Sequence, residues 1–117
     1  MPWIDVHYSR KLSQDETRTL KSEFASILKS VFDKNEGGLN VTFSDVYAFY
    51  RGGEPTDAAI VLDVRYIGHF TLEQKREVTK RMAETASRLL HVDPQKAVVL
   101  FSEIESENWG RGAGDFS

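Results

Sequence analysis

Apolar and polar residues alternate from Pro2 to Tyr8, with Ile4, Val6 and Tyr8 on one side and Trp3, Asp5 and His7 on the other. A period of two predicts a strand with one buried face. The period then changes. Leu20, Phe24, Ile27, Leu28, Val31 and Phe32 recur at spacings of three and four, the apolar stripe of a helix. Ser13, with Glu16 three residues on, supplies a capping box at its start. The polar, glycine-rich turn Asp33 to Gly38 ends it. Leu39 to Tyr47 reads as a second strand, with Leu39, Val41 and Phe43 alternating with Asn40, Thr42 and Ser44. Phe49 to Asp57 is the longest break. Ala58 to Tyr66 reads as a third strand, whose near-continuous apolar run suits a central position. Thr71 and Gln74 cap a second helix with the stripe Val78, Met82, Ala86, Leu89 and Leu90, and Val92-Asp93-Pro94 stops it. Ala97 to Ile104 reads as a fourth strand. Glu105 to Ser117 is a polar, glycine-rich tail around Trp109.

The two halves carry one pattern twice. An offset of 58 moves Ser13 onto Thr71, Leu20 onto Val78, Phe24 onto Met82, Leu28 onto Ala86, and Val41 and Phe43 onto Val99 and Phe101. This predicts one α+β domain over 1–117, made of pseudo-repeats 1–57 and 58–117. Each is a strand–helix–strand unit with a right-handed crossover. Joined edge to edge they give a four-stranded mixed sheet with both helices on one face. The other face, expected to stay partly apolar through Trp3, Val41 and Phe43, calls for a partner, so an oligomer is predicted.

Composition narrows the chemistry. The 117 residues carry a net charge of −3, which gives no electrostatic footprint for nucleic acid. There is no cysteine, which removes disulfides, thiolate catalysis and thiolate-bound zinc. His7 and His91 stand too far apart in the pattern to suggest shared metal ligation, so no metal is expected. No apolar run has the length of a membrane span and no signal-peptide pattern opens the chain, which makes the cytoplasm the expected location.

Pro2 follows the initiator methionine directly. Trimming of Met1 would leave Pro2 as a secondary amine at the end of a strand. An α-amino group titrates near 7.7–8.0, and burial lowers that value by disfavouring the charged form. Such an amine can serve as a general base at neutral pH. The plainer alternative is that Pro2 promotes trimming and starts a strand, where its missing donor costs nothing.

A duplicated strand–helix–strand domain that begins Met-Pro resembles the tautomerase superfamily. The segments Phe49-Tyr50-Arg51-Gly52-Gly53 and Trp109-Gly110-Arg111-Gly112 add to the likeness. The resemblance implies a homotrimer with active sites near the subunit interfaces. It implies a cofactor-free reaction in which the N-terminal proline moves a proton on a small 2-oxo or enol carboxylate. Cations would hold the carboxylate and aromatic residues would close the pocket. Carried over residue by residue, Pro2 matches the catalytic proline. Lys34 and Ile67 match the lysine and pocket isoleucine of the migration inhibitory factor branch. Phe49 matches the pocket phenylalanine of 4-oxalocrotonate tautomerase, and Trp109 falls near a C-terminal pocket tryptophan. Arg51, Arg65, His69 and Arg111 are further candidates for substrate binding.

The chain also departs from the family. Arg10 and Lys11 stand one or two places early for the tautomerase arginine, and Leu12 holds its position. Ile67, Gly68, His69 and Phe70 replace the arginine pair of the dehalogenases and decarboxylases. Val98 and Leu100 replace a tyrosine and an asparagine of the inhibitory-factor branch. Arg51 is a pocket arginine or a solvated one. Arg65 binds a carboxylate ligand or pairs internally with Asp63. Glu103, Glu105 and Glu107 read as a solvated charge run. The main expectation is a tautomerase. The alternatives are a non-catalytic trimeric binding module on the same scaffold and a hydratase, dehalogenase or decarboxylase.

Overall fold

The computed structural model describes residues 2–115. Strand β1 (Trp3–Tyr8) leads to helix α1 (Gln14–Phe32) and strand β2 (Asn40–Asp45). A small hairpin, β3 (Tyr50–Arg51) and β4 (Glu54–Pro55), follows. Strand β5 (Ile60–Ile67), helix α2 (Leu72–Leu90) and strand β6 (Ala97–Ile104) form the second unit. The sheet order is β2-β1-β5-β6. The two outer pairs are parallel and the central pair, β1 with β5, is antiparallel. The offset of 58 carries the bounds of α1 onto those of α2.

Each helix forms where its caps and stripe agree. The Ser13 hydroxyl accepts from the Glu16 amide at 3.1 Å, and the Glu16 carboxylate accepts from the Ser13 amide at 2.9 Å. Thr71 and Gln74 repeat this geometry at 3.1 and 2.9 Å. These contacts satisfy amides that the first helical turn leaves without partners. Both helices end on a residue in the left-handed region, Asp33 at φ 54° and His91 at φ 59°.

The core lies between the helices and one sheet face. Ile4, Val6, Ile60, Leu62, Val64 and Tyr66 meet Leu20, Phe24, Leu28, Val78, Met82 and Ala86 there. Each such side chain contributes about 1.5–3 kcal/mol on burial. Register decides what joins them. Ile4 pairs with Val41 and Val6 with Phe43, so Val41 and Phe43 share the helix-covered face and pack on the core. This corrects the assignment of Val41 and Phe43 to the bare face.

The bare face is a polar ladder with an apolar border. The Trp3 indole donates to the Thr42 hydroxyl at 3.0 Å, and Thr42 donates to Asp5 at 2.8 Å. His7 Nε2 lies 3.0 Å from Asp5. Asp5 stands directly across from Asp63, a like-charge pair that destabilises a sheet unless each partner is compensated. His7 and Arg65 supply the compensation. Apolar surface is left to β6, where Val98 and Leu100 are 42% and 50% exposed.

Three strands are displaced from their predicted bounds: the first is Trp3–Tyr8 rather than Pro2–Tyr8. The second is Asn40–Asp45 rather than Leu39–Tyr47, and the third is Ile60–Ile67 rather than Ala58–Tyr66. The third strand alternates buried and half-buried residues, because only one sheet face is covered by helices. The predicted break contains the β3–β4 hairpin, whose two-residue turn uses Gly52 and Gly53 at φ 61° and 84°. Positive φ at both central residues is the requirement of a type I′ turn, which glycine meets without a Cβ clash.

Candidate active site

Pro2 is buried at the start of β1, one of the two central strands. Its carbonyl accepts from the Asn40 amide at 3.0 Å, which ties it to the start of β2. The antiparallel register of β1 and β5 carries it to the Tyr66 end of β5. The ends of β5 and β6, and the turn from Ile67 to Thr71, therefore surround the Pro2 end of the sheet.

Lys34 reaches this turn. Its ammonium donates to the Ile67 carbonyl at 2.9 Å and lies 5.7 Å from the centre of the Phe70 ring. Beneath it, Phe70 stacks on Phe32 with centroids 3.9 Å apart, and Tyr66 meets both rings edge-on. The result is an aromatic floor with one cation against it, at the same end of the sheet as the buried Pro2.

Glu103 holds the same end together. It accepts from the Phe70 amide at 2.9 Å and from the Tyr66 hydroxyl at 3.0 Å. His69 Nδ1 is 3.1 Å away and Lys75 Nζ 3.2 Å away. The Phe70 amide, followed by His69, Lys75 and Tyr66, lowers the Glu103 pKa to about 2 against the opposing effect of burial. Burial, then the bond to Glu103, raises the Tyr66 phenol above its ordinary value and keeps it neutral. Glu103, then Glu105, which lies 3.0 Å from Nε2, raises the His69 pKa.

The predicted site residues fall in four places. Lys34, Ile67 and His69 gather at the Pro2 end, where Lys34 meets Ile67 directly and His69 is tied to two carboxylates. Arg65 lies on the bare face, 3.0 Å from Asp63 and with its guanidinium 5.0 Å from the centre of the Trp3 ring. Trp109, half-buried, and Arg111, exposed, follow the end of β6; the Arg111 amide donates to the Asp115 carbonyl at 2.7 Å. Phe49 and Arg51 lie elsewhere. The Phe49 carbonyl accepts from Thr56, and Arg51 donates to the Gln95 carbonyl. Gln95 precedes β6, at the end of the sheet opposite Pro2. The six residues of β1, roughly 20 Å of strand, separate them from Pro2 within one chain.

Two contributors were not identified from sequence. Phe70 followed no stripe. Glu103 reads in sequence as part of a solvated run, although its spacing from Val99 and Phe101 puts it in phase with the covered face. A charge at an inward phase needs partners, and that was the available signal.

The electrostatics predict an acid limit. The Arg10 side chain, then the Ser13 amide, lowers the Glu16 pKa from 4.5 to about 2, as happens to Glu103. A carboxylate with a lowered folded-state pKa stabilises the fold above its unfolded value and loses that contribution as pH falls through the folded value. Thermal melts should drop most steeply between about pH 4.5 and 2, and Glu103→Gln should flatten that drop. An unchanged melting point from pH 6 to 2.5 would contradict both assignments. His69 acts in the opposite direction: its raised pKa adds stability below about 6.5, lost as pH rises through the folded value.

A two-unit β-α-β sheet has a buried proline at the head of a central strand, at the same end as a lysine on an aromatic floor, which defines a small α+β domain with a candidate site at that end. A family model described as Tautomerase enzyme matches residues 61–115. Tautomerase PptA of Pectobacterium carotovorum is 36% identical over 47 residues, which take in 39% of this chain and 62% of that protein; its counterpart in Pectobacterium atrosepticum matches to the same extent. The chain thus spans less than two thirds of the curated relatives it matches. Among solved structures, macrophage migration inhibitory factor of Toxoplasma gondii superposes with a TM-score of 0.88 at 14% identity, covering 98% of this chain and 99% of that one. A native fused 4-OT gives 0.85 at 18% identity, covering 97% and 94%. N1, a member of the cis-3-chloroacrylic acid dehalogenase family, gives 0.84 at 17% identity, covering 97% and 82%. The family model thus matches the second strand–helix–strand unit, and the solved structures share the whole fold.

Proposed function

We propose that this protein is a cofactor-free tautomerase in which Pro2, freed by removal of Met1, acts as general base on a small 2-oxo or enol carboxylate. The observation that carries the reading is the buried Pro2 at the head of a central strand, at the same end of the sheet as the Lys34 ammonium. Burial disfavours the charged form of an amine, which favours the neutral secondary amine that a base requires. It accepts the enol hydroxyl proton. The resulting ammonium returns a proton to the carbon at the far end of the enol double bond, giving the ketone. Lys34 balances the substrate's carboxylate or the enolate charge that develops. Phe70 and Phe32 keep the surroundings apolar.

The active protein is a homotrimer in this reading. Phe49 and Arg51 cannot reach Pro2 of their own chain, but a neighbour's hairpin can bring them to it. The β6 surface of Val98 and Leu100 is then covered by the neighbour. One solved relative, a fused 4-OT, is described as an asymmetric trimer and another as a symmetric one. Light scattering on the eluting protein should give three times the chain mass of 13.3 kDa. A monomer at micromolar concentration would remove the composite site.

Intact mass and turnover on one untagged sample test the proline. A mass lacking methionine, together with ketonisation of the enol of phenylpyruvate, supports the reading. A retained methionine makes the Pro2 nitrogen an amide without a basic lone pair. The second reading, a non-catalytic trimeric binding module, would then be favoured. The ion pair that occupies Arg65 and the carbonyl that occupies Arg51 already point in that direction.

A further inference from the structure

The internal repeat makes one half of the chain a control for the other. In the second unit the seat at the strand ends is full: Glu103 meets the Phe70 amide, the Tyr66 hydroxyl, His69 and Lys75, which occupies the roughly four acceptor positions of a carboxylate. The offset of 58 turns Glu103 into Asp45, Lys75 into Thr17, Phe70 into Leu12 and His69 into Lys11. These first-unit residues line an open cavity of about 200 Å³. The aspartate is one methylene shorter, and threonine and leucine are smaller than lysine and phenylalanine, so the same seat stands empty.

The antiparallel centre of the sheet gives this asymmetry a location. β1 and β5 run in opposite directions, so the full seat lies at the Pro2 end and the open one at the far end. The turn that Glu103 pins also carries the Ile67 carbonyl and the Phe70 ring, the two groups that hold the Lys34 ammonium. His69 and Phe70 contact Glu103 directly, and Lys75 ties it to the first turns of α2. One carboxylate thus fixes β6, the end of β5, the turn and the helix relative to one another.

We propose that Glu103 is a positioning residue for the Pro2 site: by pinning the Ile67–Phe70 turn it sets where the Lys34 ammonium stands. The inference rests on the reading of Pro2 and Lys34 as the active site, and the test separates the two. In Glu103→Gln the charge is lost with little change of shape, and Glu103→Asp copies the first-unit seat. In either folded variant the Lys34 side-chain amine signal, followed by NMR, should shift. The KM for the enol of phenylpyruvate should rise about tenfold with kcat changed little, because a misplaced cation weakens ground-state holding. In a Lys34→Ala background the same Glu103 change should add nothing, as expected of coupled residues and not of independent ones. A Lys34 signal that stays put in folded Glu103→Gln or Glu103→Asp overturns the inference. So does a KM effect that persists in full over Lys34→Ala. Unchanged turnover in Pro2→Ala would sink the proline reading instead, and the Lys34 signal would then decide the role of Glu103 alone.

Discussion

Pro2→Ala should lower enol–ketone turnover by at least about tenfold, part of the roughly 100- to 10,000-fold that a positioned acid–base group contributes. Alanine also leaves an amine after Met1 is trimmed, so the loss measures what the pyrrolidine ring adds. That ring makes the nitrogen a secondary amine and fixes its direction from Cα, which aims the lone pair from the end of a strand fixed on both sides by β2 and β5. An alanine amine rotates freely and is less well placed. An added residue before Pro2 should do more, since it converts the nitrogen into an amide and should abolish turnover. Steady-state rates on mass-verified samples check both. Equal turnover in Pro2→Ala and the parent would end the proposal of a proline base.

Phe32→Ala should cost about 3–5 kcal/mol, the usual range for deleting a buried aromatic ring. Phe32 is 4% exposed at the last turn of α1. It stacks on Phe70 and meets Tyr66 and Phe101 at centroid distances of 5.2 and 6.2 Å. Such pairs add about 0.5–1.5 kcal/mol beyond burial. Against a total stability of about 5–15 kcal/mol, this is a large fraction. Phe32 is also a bridge: it joins the helix of the first unit to the turn of the second, beneath Lys34. Urea unfolding should show a lower midpoint, and the substrate KM should rise under conditions where the variant remains folded. An unfolding free energy within about 1 kcal/mol of the parent's would mean that the cavity collapses without cost and that the aromatic floor is not structural.

Much of this molecule was legible in its residues. The two caps, the two helical stripes and the offset of 58 follow from spacing alone, because helix periodicity and capping depend on neighbours within four residues. Pro2 was legible as a candidate base because its chemistry belongs to its place in the chain. The face of Val41 and Phe43 was not legible. Alternation separates two faces of a strand without saying which one the helices cover, and only the pairing of Ile4 with Val41 decides it. The hairpin at Gly52-Gly53 had a signal in its glycine pair, but its flanks lack the alternation that marks longer hairpins. Arg65 had two open readings, and the cross-strand arrangement of Asp5, Asp63 and Trp3 accounts for it as an ion pair on the bare face. Glu103 shows the sharpest contrast. In sequence it is one of three alternating glutamates; in the fold it is the acceptor of four groups drawn from β5, the turn and α2. Local order, the repeat and the place of Pro2 at the head of a strand were therefore determined by the sequence by itself. Which charges meet, which seat is filled and which candidates stand at the Pro2 end were decided by tertiary structure, because the antiparallel joining of two like units sets one unit's strand ends beside the other unit's beginning.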